Sequence, residues 1–385
     1  MKEKIIRITT VPISLEKLLS GQLRFMSSFY NVIAVSSEKE NLEQLGKNQE
    51  VSVFHLEMTR KITPLKDIIA VIKLFFFLRK TKPLMVHSHT PKAGIVGMLA
   101  AKLAGVPHRL HTVAGLPLLE ASGTKRKLLN VVEKFTYACA NRVYPNSLGL
   151  KDIIIENNFC KPEKLKVLAN GSSNGIDTSY FNFELFSVNQ NLNLKKELGI
   201  LPDDFVFIFV GRLVRDKGIN EMVLAFELLQ KENTKIKLLL VGDYENDLDP
   251  LSSKTVQSIN TNDAILAVGF KNDVRSYFAI SDTLVFPSYR EGFPNVVMQA
   301  GAMGLPCIVS NINGCNEIII EKENGFIIPV KDELAIFQAM KKVLSDVLLI
   351  TKMKTNSRPM IVSRYEQKVV WEAILTEYRT LAPRF

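Results

Sequence analysis

Eleven short apolar runs, separated by segments with helical spacing, constrain this chain more than any other feature. In the first half they are IIRIT, VIAVSS, VSVFHL, MVHSH, HRLHTV and RVYPNS; in the second, FVFIFVG, IKLLLVG, AILAVG, TLVFPS and PCIVS. Several are continuous rather than alternating, as parallel strands covered on both faces require. Helical patterns at Pro91–Ala104, Lys125–Ala140, Asn220–Gln230, Val274–Ile280 and Asn295–Met303 lie between them. This β-α-β alternation predicts an α/β protein with two doubly wound parallel sheets. Ligands of such sheets sit at the carboxyl ends of the strands. The 385 residues suffice for two domains of ordinary size. A polar stretch over Asn182–Asn193 places the boundary, giving domains at 1–185 and 186–364. The last segment, 365–385, is expected to be helical over Tyr365–Leu381. Val369, Val370, Ile374, Leu375 and Tyr378 are read on one side of it, which could fold back onto the first domain.

Charge is distributed unevenly. Residues 1–180 hold 26 Lys/Arg against 14 Asp/Glu, while the remainder is close to neutral. A basic half suits an anionic membrane, an acidic acceptor or nucleic acid. No aromatic-interleaved basic motif supports nucleic acid as a partner. The stretch KLFFFLRKTK (Lys73–Lys82), the apolar turn Leu116–Leu119 and the cluster Lys125, Arg126, Lys127 favour contact with a membrane surface. A half-buried helix with a solvated basic end explains the same residues. The most apolar window, Ile68–Leu78, is too short to span a bilayer. The start, MKEKIIRITTVP, lacks the apolar stretch of a secretory signal, so a cytoplasmic location is expected. Cys139, Cys160, Cys307 and Cys315 form no C-x-x-C pair and are expected as free thiols.

Two segments carry chemistry. In SYREGFPNVVMQAGAMGLP, Ser288–Pro306, Glu291 precedes Gly292, Phe293 and Pro294, and an apolar helical run begins at Asn295. Gly292 permits close backbone approach to a ligand, and Pro294 suits the first helical position. An acid thus stands beside a helix N-terminus, whose amides and dipole favour anions. That makes sense if a phosphate meets the amides while the carboxylate takes hydroxyl groups, as in a site for a nucleotide-activated sugar. In VGRLVRDKGI, Val210–Ile219, Gly211 follows a strand, and Arg212 and Lys217 stand five apart. Two cations there can hold a diphosphate and stabilise charge growing on it as it departs. Solvated loop charge is the plain alternative for either cation taken alone. The G-x-x-x-x-G-K-[ST] spacing of a P-loop is missing, and no G-x-G-x-x-G follows the first strand, which weakens a dinucleotide oxidoreductase.

With LLLVGD and VGFKNDVRSYFAISDTLVFPSYREGFPNVVMQAGAMGLPCIVSNINGCNEII, these segments resemble the C-terminal half of the family 4 glycosyltransferases. MVHSHTPKAG, HRLHTVAGLP and NGSSNGIDTSYF resemble the first half of the same family more loosely. The resemblance implies the GT-B architecture, two Rossmann-like domains facing a cleft. The first would bind the acceptor and the second the donor. It also implies a retaining, metal-independent transferase with a nucleotide sugar as co-substrate and no cofactor. Arg212 and Lys217 match the diphosphate-binding pair. Glu291 matches the first acid of the E-x7-E motif, which contacts donor-sugar hydroxyls. Position 299, where the ribose-binding second Glu belongs, holds Gln299, whose amide still donates and accepts hydrogen bonds. The backbone around Gly292, Phe293, Pro294 and Asn295 would neighbour the sugar and α-phosphate, with N–H donors from all but Pro294. Gly211 belongs to the phosphate loop, and Phe270 and Val274, after Gly269, to the base-side loop.

His111, read as ending its strand, matches the first-domain histidine near the donor sugar, and Gly21 the loop near the phosphates. His87 and His89 point to one face of a strand; they could be a zinc pair, or structural or acceptor-side residues. Asp247-Leu248-Asp249 spells D-x-D, a metal motif of another transferase architecture, here in the wrong fold context. No metal site is expected. The implied reaction moves a HexNAc or hexose unit from a UDP-sugar to a glycan or polyprenyl-diphosphate-linked acceptor. The expected setting is bacterial capsule or O-antigen synthesis at the inner face of the cytoplasmic membrane. A UDP-sugar 2-epimerase and a non-catalytic nucleotide-sugar-binding module are the alternatives.

Overall fold

A computed structural model describes residues 2–116, 118, 121–245 and 249–382. The chain divides into two compact units, 1–175 with 368–385, and 176–367. Each is built on a six-stranded parallel sheet. In the first unit the strands are β1 (Lys4–Ile8), β2 (Asn31–Ser36), β3 (Ser52–His55), β4 (Met85–Ser88), β5 (His108–Val113) and β6 (Arg142–Pro145), in the order β3-β2-β1-β4-β5-β6. In the second they are β7 (Phe205–Val210), β8 (Ile236–Val241), β9 (Ile265–Ala267), β10 (Thr283–Phe286), β11 (Cys307–Ser310) and β12 (Gly325–Ile328), ordered β12-β11-β10-β7-β8-β9.

Both orders reverse direction once, between β1 and β4 and between β7 and β10. At such a switch the loops leaving two neighbouring strands part to opposite faces and leave a crevice. The second switch places the loop after β7 beside the loop after β10. These are the two segments that carry the candidate chemistry. The continuous apolar sequence of β7 has its physical cause here, since Val206, Phe207, Ile208 and Phe209 are fully buried between helices on both faces. Strand β12 has no counterpart among the sequence-predicted strands. It has only four residues and opens on Gly325, where a Cβ would lie 2.0 Å from the carbonyl oxygen of Cys307.

In the first unit, helices α1 (Pro64–Thr81), α2 (Pro91–Leu103) and α3 (Gly123–Cys139) cover one face of the sheet. In the second unit, α4 (Ile219–Gln230) follows the β7 loop, α5 (Asn295–Ala302) follows the β10 loop, and α6 (Val347–Tyr365) packs on α5. The final helix, α7 (Gln367–Leu381), belongs from Lys368 onward to the first unit. It buries Val370, Ile374, Leu375 and Tyr378 against β1, β2 and β4. Between α6 and α7 the backbone turns extended at Glu366. There Ile176 donates to the Tyr365 carbonyl (2.8 Å) and Gln367 donates to the Ile176 carbonyl (3.1 Å). The four cysteines are free thiols. Among the described residues, no helix is long and apolar enough to cross a membrane.

Candidate active site

The loop after β7 is held in shape by close glycine packing. Gly211 donates to the Val241 carbonyl (2.9 Å), and Gly242 donates to the Gly269 carbonyl (3.0 Å), so three glycines line the carboxyl ends of β7, β8 and β9. A Cβ on Gly242 would stand 1.9 Å from the Gly211 oxygen. Beyond this rim, Leu213 donates to the Asp243 carbonyl (2.8 Å), and a 3₁₀ turn over Arg215–Lys217 ends at Gly218. Gly218 has φ +70°, and a Cβ there would lie 2.2 Å from the Pro287 carbonyl oxygen. Only glycine lets the two chemical loops approach this closely.

That approach brings Lys217 and Glu291 into an ion pair, with both side chains more than four-fifths buried. Lys217 also lies 5.6 Å from the centre of the Phe286 ring. Glu291 further accepts from the Ser288 hydroxyl at 3.1 Å. Arg212, by contrast, is more than half exposed and paired with Glu245. So each cation of the candidate pair has a carboxylate partner.

Around this pair the two loops are laced together. Tyr289 donates its backbone N–H to the Asp216 carbonyl (2.8 Å), and Arg290 pairs with the Asp216 carboxylate (2.6 Å). The Tyr289 hydroxyl donates to Glu221 of α4 (2.6 Å). From the other side, Asp249 accepts from the Asp216 amide (2.7 Å) and from Arg215 Nε (3.1 Å). Asp247 and Leu248 lie outside the described residues; Asp249, the last residue of the D-x-D sequence, is committed to this lacing. Among the described residues no group of three His, Cys, Asp or Glu side chains could hold a metal ion.

Pro294 is the N-cap residue of α5, with extended ψ of 111°, and not its first helical residue as the sequence pattern predicted. The cause is tight support from below. Gly314, at φ +72°, would place a Cβ 2.8 Å from Phe293 Cα. Phe293 is buried edge-on against Tyr365 (5.4 Å between centres). Gly292 is half-buried, and Asn295 is exposed at the start of α5. Gln299, one turn further along α5, is half-buried, and among the described residues its side chain makes no hydrogen bond. Phe270 is 64% exposed, with its amide on the Asp243 carboxylate (2.9 Å). Val274 is half-buried and packs against the hydrophobic core.

In the first unit, Gly21 caps a short helix over Gln22–Ser27 at φ +73°. A Cβ there would meet the Trp371 ring at 2.7 Å. Trp371 in turn donates to Asn174 (2.7 Å), and Asn174 donates to the Ser20 carbonyl (3.0 Å). His111 does not end its strand, as the sequence pattern predicted, but lies two residues inside β5, bonded to the Ser88 hydroxyl (2.8 Å) and roofed by Gly94 of α2. Burial pushes its pKa down to about 4, so the ring is neutral. The strand ends instead at Val113, before Ala114. His87 and His89 do share a face. His87 has both ring nitrogens engaged, by Tyr378 (2.5 Å) and Thr112 (2.7 Å), and His89 accepts from the buried Arg7 (3.0 Å).

Sequence reasoning missed Glu245, Ser288, Asp216, Arg290 and Asp249. Glu245, Asp216, Arg290 and Asp249 act through partners more than thirty residues away, and no local spacing marks that pairing; Ser288 acts on Glu291 three residues on. Gly218 left a readable signal, since it closes the loop after β7; Gly314 lies past β11, and nothing local ties it to the loop after β10.

The model of the family described as glycosyl transferases group 1 matches residues 190–360, and that of the glycosyl transferase 4-like domain matches residues 27–171. The chain is 32% identical to the capsular polysaccharide biosynthesis glycosyltransferase CapM of Staphylococcus aureus, over 98% of this chain and 97% of that one. The chain belongs to the family 4 glycosyltransferases. A second relative is the UDP-Gal:alpha-D-GlcNAc-diphosphoundecaprenol alpha-1,3-galactosyltransferase of Escherichia coli, 31% identical over 95% of each chain. The GT-B fold follows from likeness to solved structures. Anabaena Alr3699/HepE in complex with UDP superposes with a TM-score of 0.81, covering 99% of this chain and all of the other at 18% identity. A glycosyltransferase from Rickettsia africae gives a TM-score of 0.82 at 17% identity, covering all of both chains. In this family 4 glycosyltransferase, the laced loops after β7 and β10 are the segments on which the family resemblance rests most heavily.

Proposed function

We propose that this glycosyltransferase moves a HexNAc or hexose unit from a UDP-sugar to a polyprenyl-diphosphate-linked or glycan acceptor, with retention of configuration and without a metal or other cofactor. The observation that carries the reading is the Lys217–Glu291 pair at the β7–β10 switch, with Arg212 on the same loop. A UDP-sugar carries the two complementary groups such a site needs, a dianionic diphosphate for the cations and sugar hydroxyls for the carboxylate. Arg212 and Lys217 hold the diphosphate and stabilise the charge that develops as it leaves. The amides at the start of α5 take the α-phosphate side, with the helix dipole behind them. Glu291 accepts from sugar hydroxyls, Gln299 meets the ribose, and Phe270 lies on the base side with Gly211 and Gly269.

In the transfer, the acceptor hydroxyl oxygen forms a bond to the anomeric carbon as the bond from that carbon to the β-phosphate oxygen breaks. The acceptor's proton passes to the departing phosphate oxygen, on the same face. This route needs no carboxylate nucleophile behind the sugar, unlike the two-carboxylate route of retaining glycosidases. His111, buried and neutral, serves as structural support in it. The names of both relatives support acceptor transfer over 2-epimerisation or bare binding, and that of the Escherichia coli protein supports a lipid-diphosphate acceptor. The reaction belongs to surface polysaccharide synthesis at the inner face of the bacterial cytoplasmic membrane, with the first unit meeting the anionic lipid.

The test is a screen of UDP-sugars with a bacterial membrane extract as acceptor, reading UDP release and the lipid-linked product together. UDP release coupled to a glycosylated lipid is expected. Conversion of UDP-GlcNAc without acceptor would indicate an epimerase, and UDP binding with no turnover a binding module.

A further inference from the structure

The outer side of the α1–α2–α3 layer is apolar and basic at once. Helix α1 buries Ala70, Leu74 and Leu78 toward the sheet. On its opposite side Leu65, Ile69, Ile72 and Phe76 are 50–79% exposed. Their spacing of four, three and four residues forms one stripe along the helix. Helix α3 does the same with Leu128, Val131 and Phe135, exposed by 44–63% at spacings of three and four. Both helices flank α2 on the same face of the sheet, so the two stripes look outward from one layer.

The charge of this layer has a single sign. Lys66, Lys73, Arg79 and Lys80 are exposed on α1, Lys102 on α2, and Lys125, Lys127 and Lys134 on α3. The three helices contain two acids, and neither faces out: Asp67 is part-buried and paired with Lys92, and Glu133 is buried. Exposed apolar stripes of this extent mark an interaction surface. A second copy of the chain is a poor occupant, because a two-fold contact would set these cations against each other. An anionic bilayer satisfies both features. The apolar stripes enter the acyl boundary, and the lysine and arginine stems bend outward to bring their charges to lipid phosphates.

We propose that the outward faces of α1 and α3 seat the first unit on an anionic lipid bilayer. This deepens the membrane part of the proposed function and rests on it for its purpose, but the binding can be measured without any sugar.

The experiment is co-sedimentation of the full chain with vesicles of phosphatidylcholine alone or mixed with phosphatidylglycerol. Binding to the mixed vesicles, at least roughly tenfold tighter than to phosphatidylcholine, is expected, and it should weaken when salt rises from about 0.1 M to 1 M and the screening length falls from about 10 Å to 3 Å. Ile69→Ser combined with Phe76→Ser should cut binding roughly tenfold, and Lys73→Glu combined with Lys80→Glu should abolish the preference for anionic lipid. These side chains are exposed, so thermal melting of the variants should match the parent. Equal binding to both vesicle types would overturn the proposal. So would a concentration-dependent dimer that Ile69→Ser with Phe76→Ser dissolves, since a second copy would then be the occupant. UDP affinity, measured in the same preparations without lipid, separates the two readings. Intact UDP binding without vesicle binding sinks the docking face alone, and vesicle binding without UDP binding sinks the donor site alone.

Discussion

At the scale of single residues, the ion pairing of the free protein sets what each substitution should do. Lys217 and Glu291 neutralise each other, so removing either leaves a charge in a largely enclosed place. Lys217→Ala and Arg212→Ala should each lower kcat/KM by roughly a hundredfold or more, because on the proposed mechanism each withdraws a cation from the departing diphosphate. Near-normal turnover in both would refute the assignment. Glu291→Gln should act differently. It removes the proposed sugar contact and also frees Lys217, so KM for the UDP-sugar should rise while UDP affinity holds or improves. Parallel loss of both would place Glu291 elsewhere. Gln299 is half-buried, and among the described residues its side chain makes no hydrogen bond, so it is available to a ribose. Gln299→Ala should weaken UDP binding by about fivefold, the worth of one ordinary hydrogen bond near 1 kcal/mol. Calorimetry with UDP reads this directly.

At the scale of elements, the two candidate loops are held by residues outside them. Asp249 ties the Arg212–Lys217 loop from outside, through the Asp216 amide and Arg215 Nε. Asp249→Ala should lower kcat/KM by roughly tenfold by letting this loop move. Asp249→Asn keeps an acceptor for the Asp216 amide and should restore most of the rate; failure of this rescue would show that the charge, and not the tether, matters. The loops themselves were readable in the sequence, because a glycine after an apolar strand and a proline before a helical run are local signals. Their lacing was not. Asp249 read as part of a metal motif in the wrong context, and its partners lie more than thirty residues away. His111 shows the same limit. Its strand was read correctly, but whether the side chain met solvent depended on α2, which brings Gly94 against the ring.

At the scale of the whole molecule, the two units carry different titrating groups. His87, His89 and His111 all lie in the first unit, and burial holds all three neutral, His111 down to about 4. In the unfolded chain histidines take up protons as the pH falls through about 6.5. The folded unit does not follow until far lower pH, so acidification favours unfolding. Stability from these rings is complete above about pH 6.5 and is lost as the pH falls toward 4, by about 3 kcal/mol for His111 alone. The one tryptophan of the chain, Trp371, sits in this unit. Denaturant midpoints from its fluorescence should therefore drop between pH 7 and pH 5, and His111→Gln should flatten that drop. A midpoint independent of pH would mean that these rings are not held neutral.

The sequence by itself determined the α/β class, the two parallel sheets, the family and the position of the two candidate loops. These rest on short-range patterns: continuous apolar strands, glycines at turns and helix-start signals. Tertiary structure alone decided that Lys217 meets Glu291, that His111 is enclosed, that Asp249 is a tether, and that α1 and α3 turn their apolar stripes outward. Each of these depends on which surfaces the sheet orders bring together, and contacts between residues far apart in the chain leave no periodic trace in it.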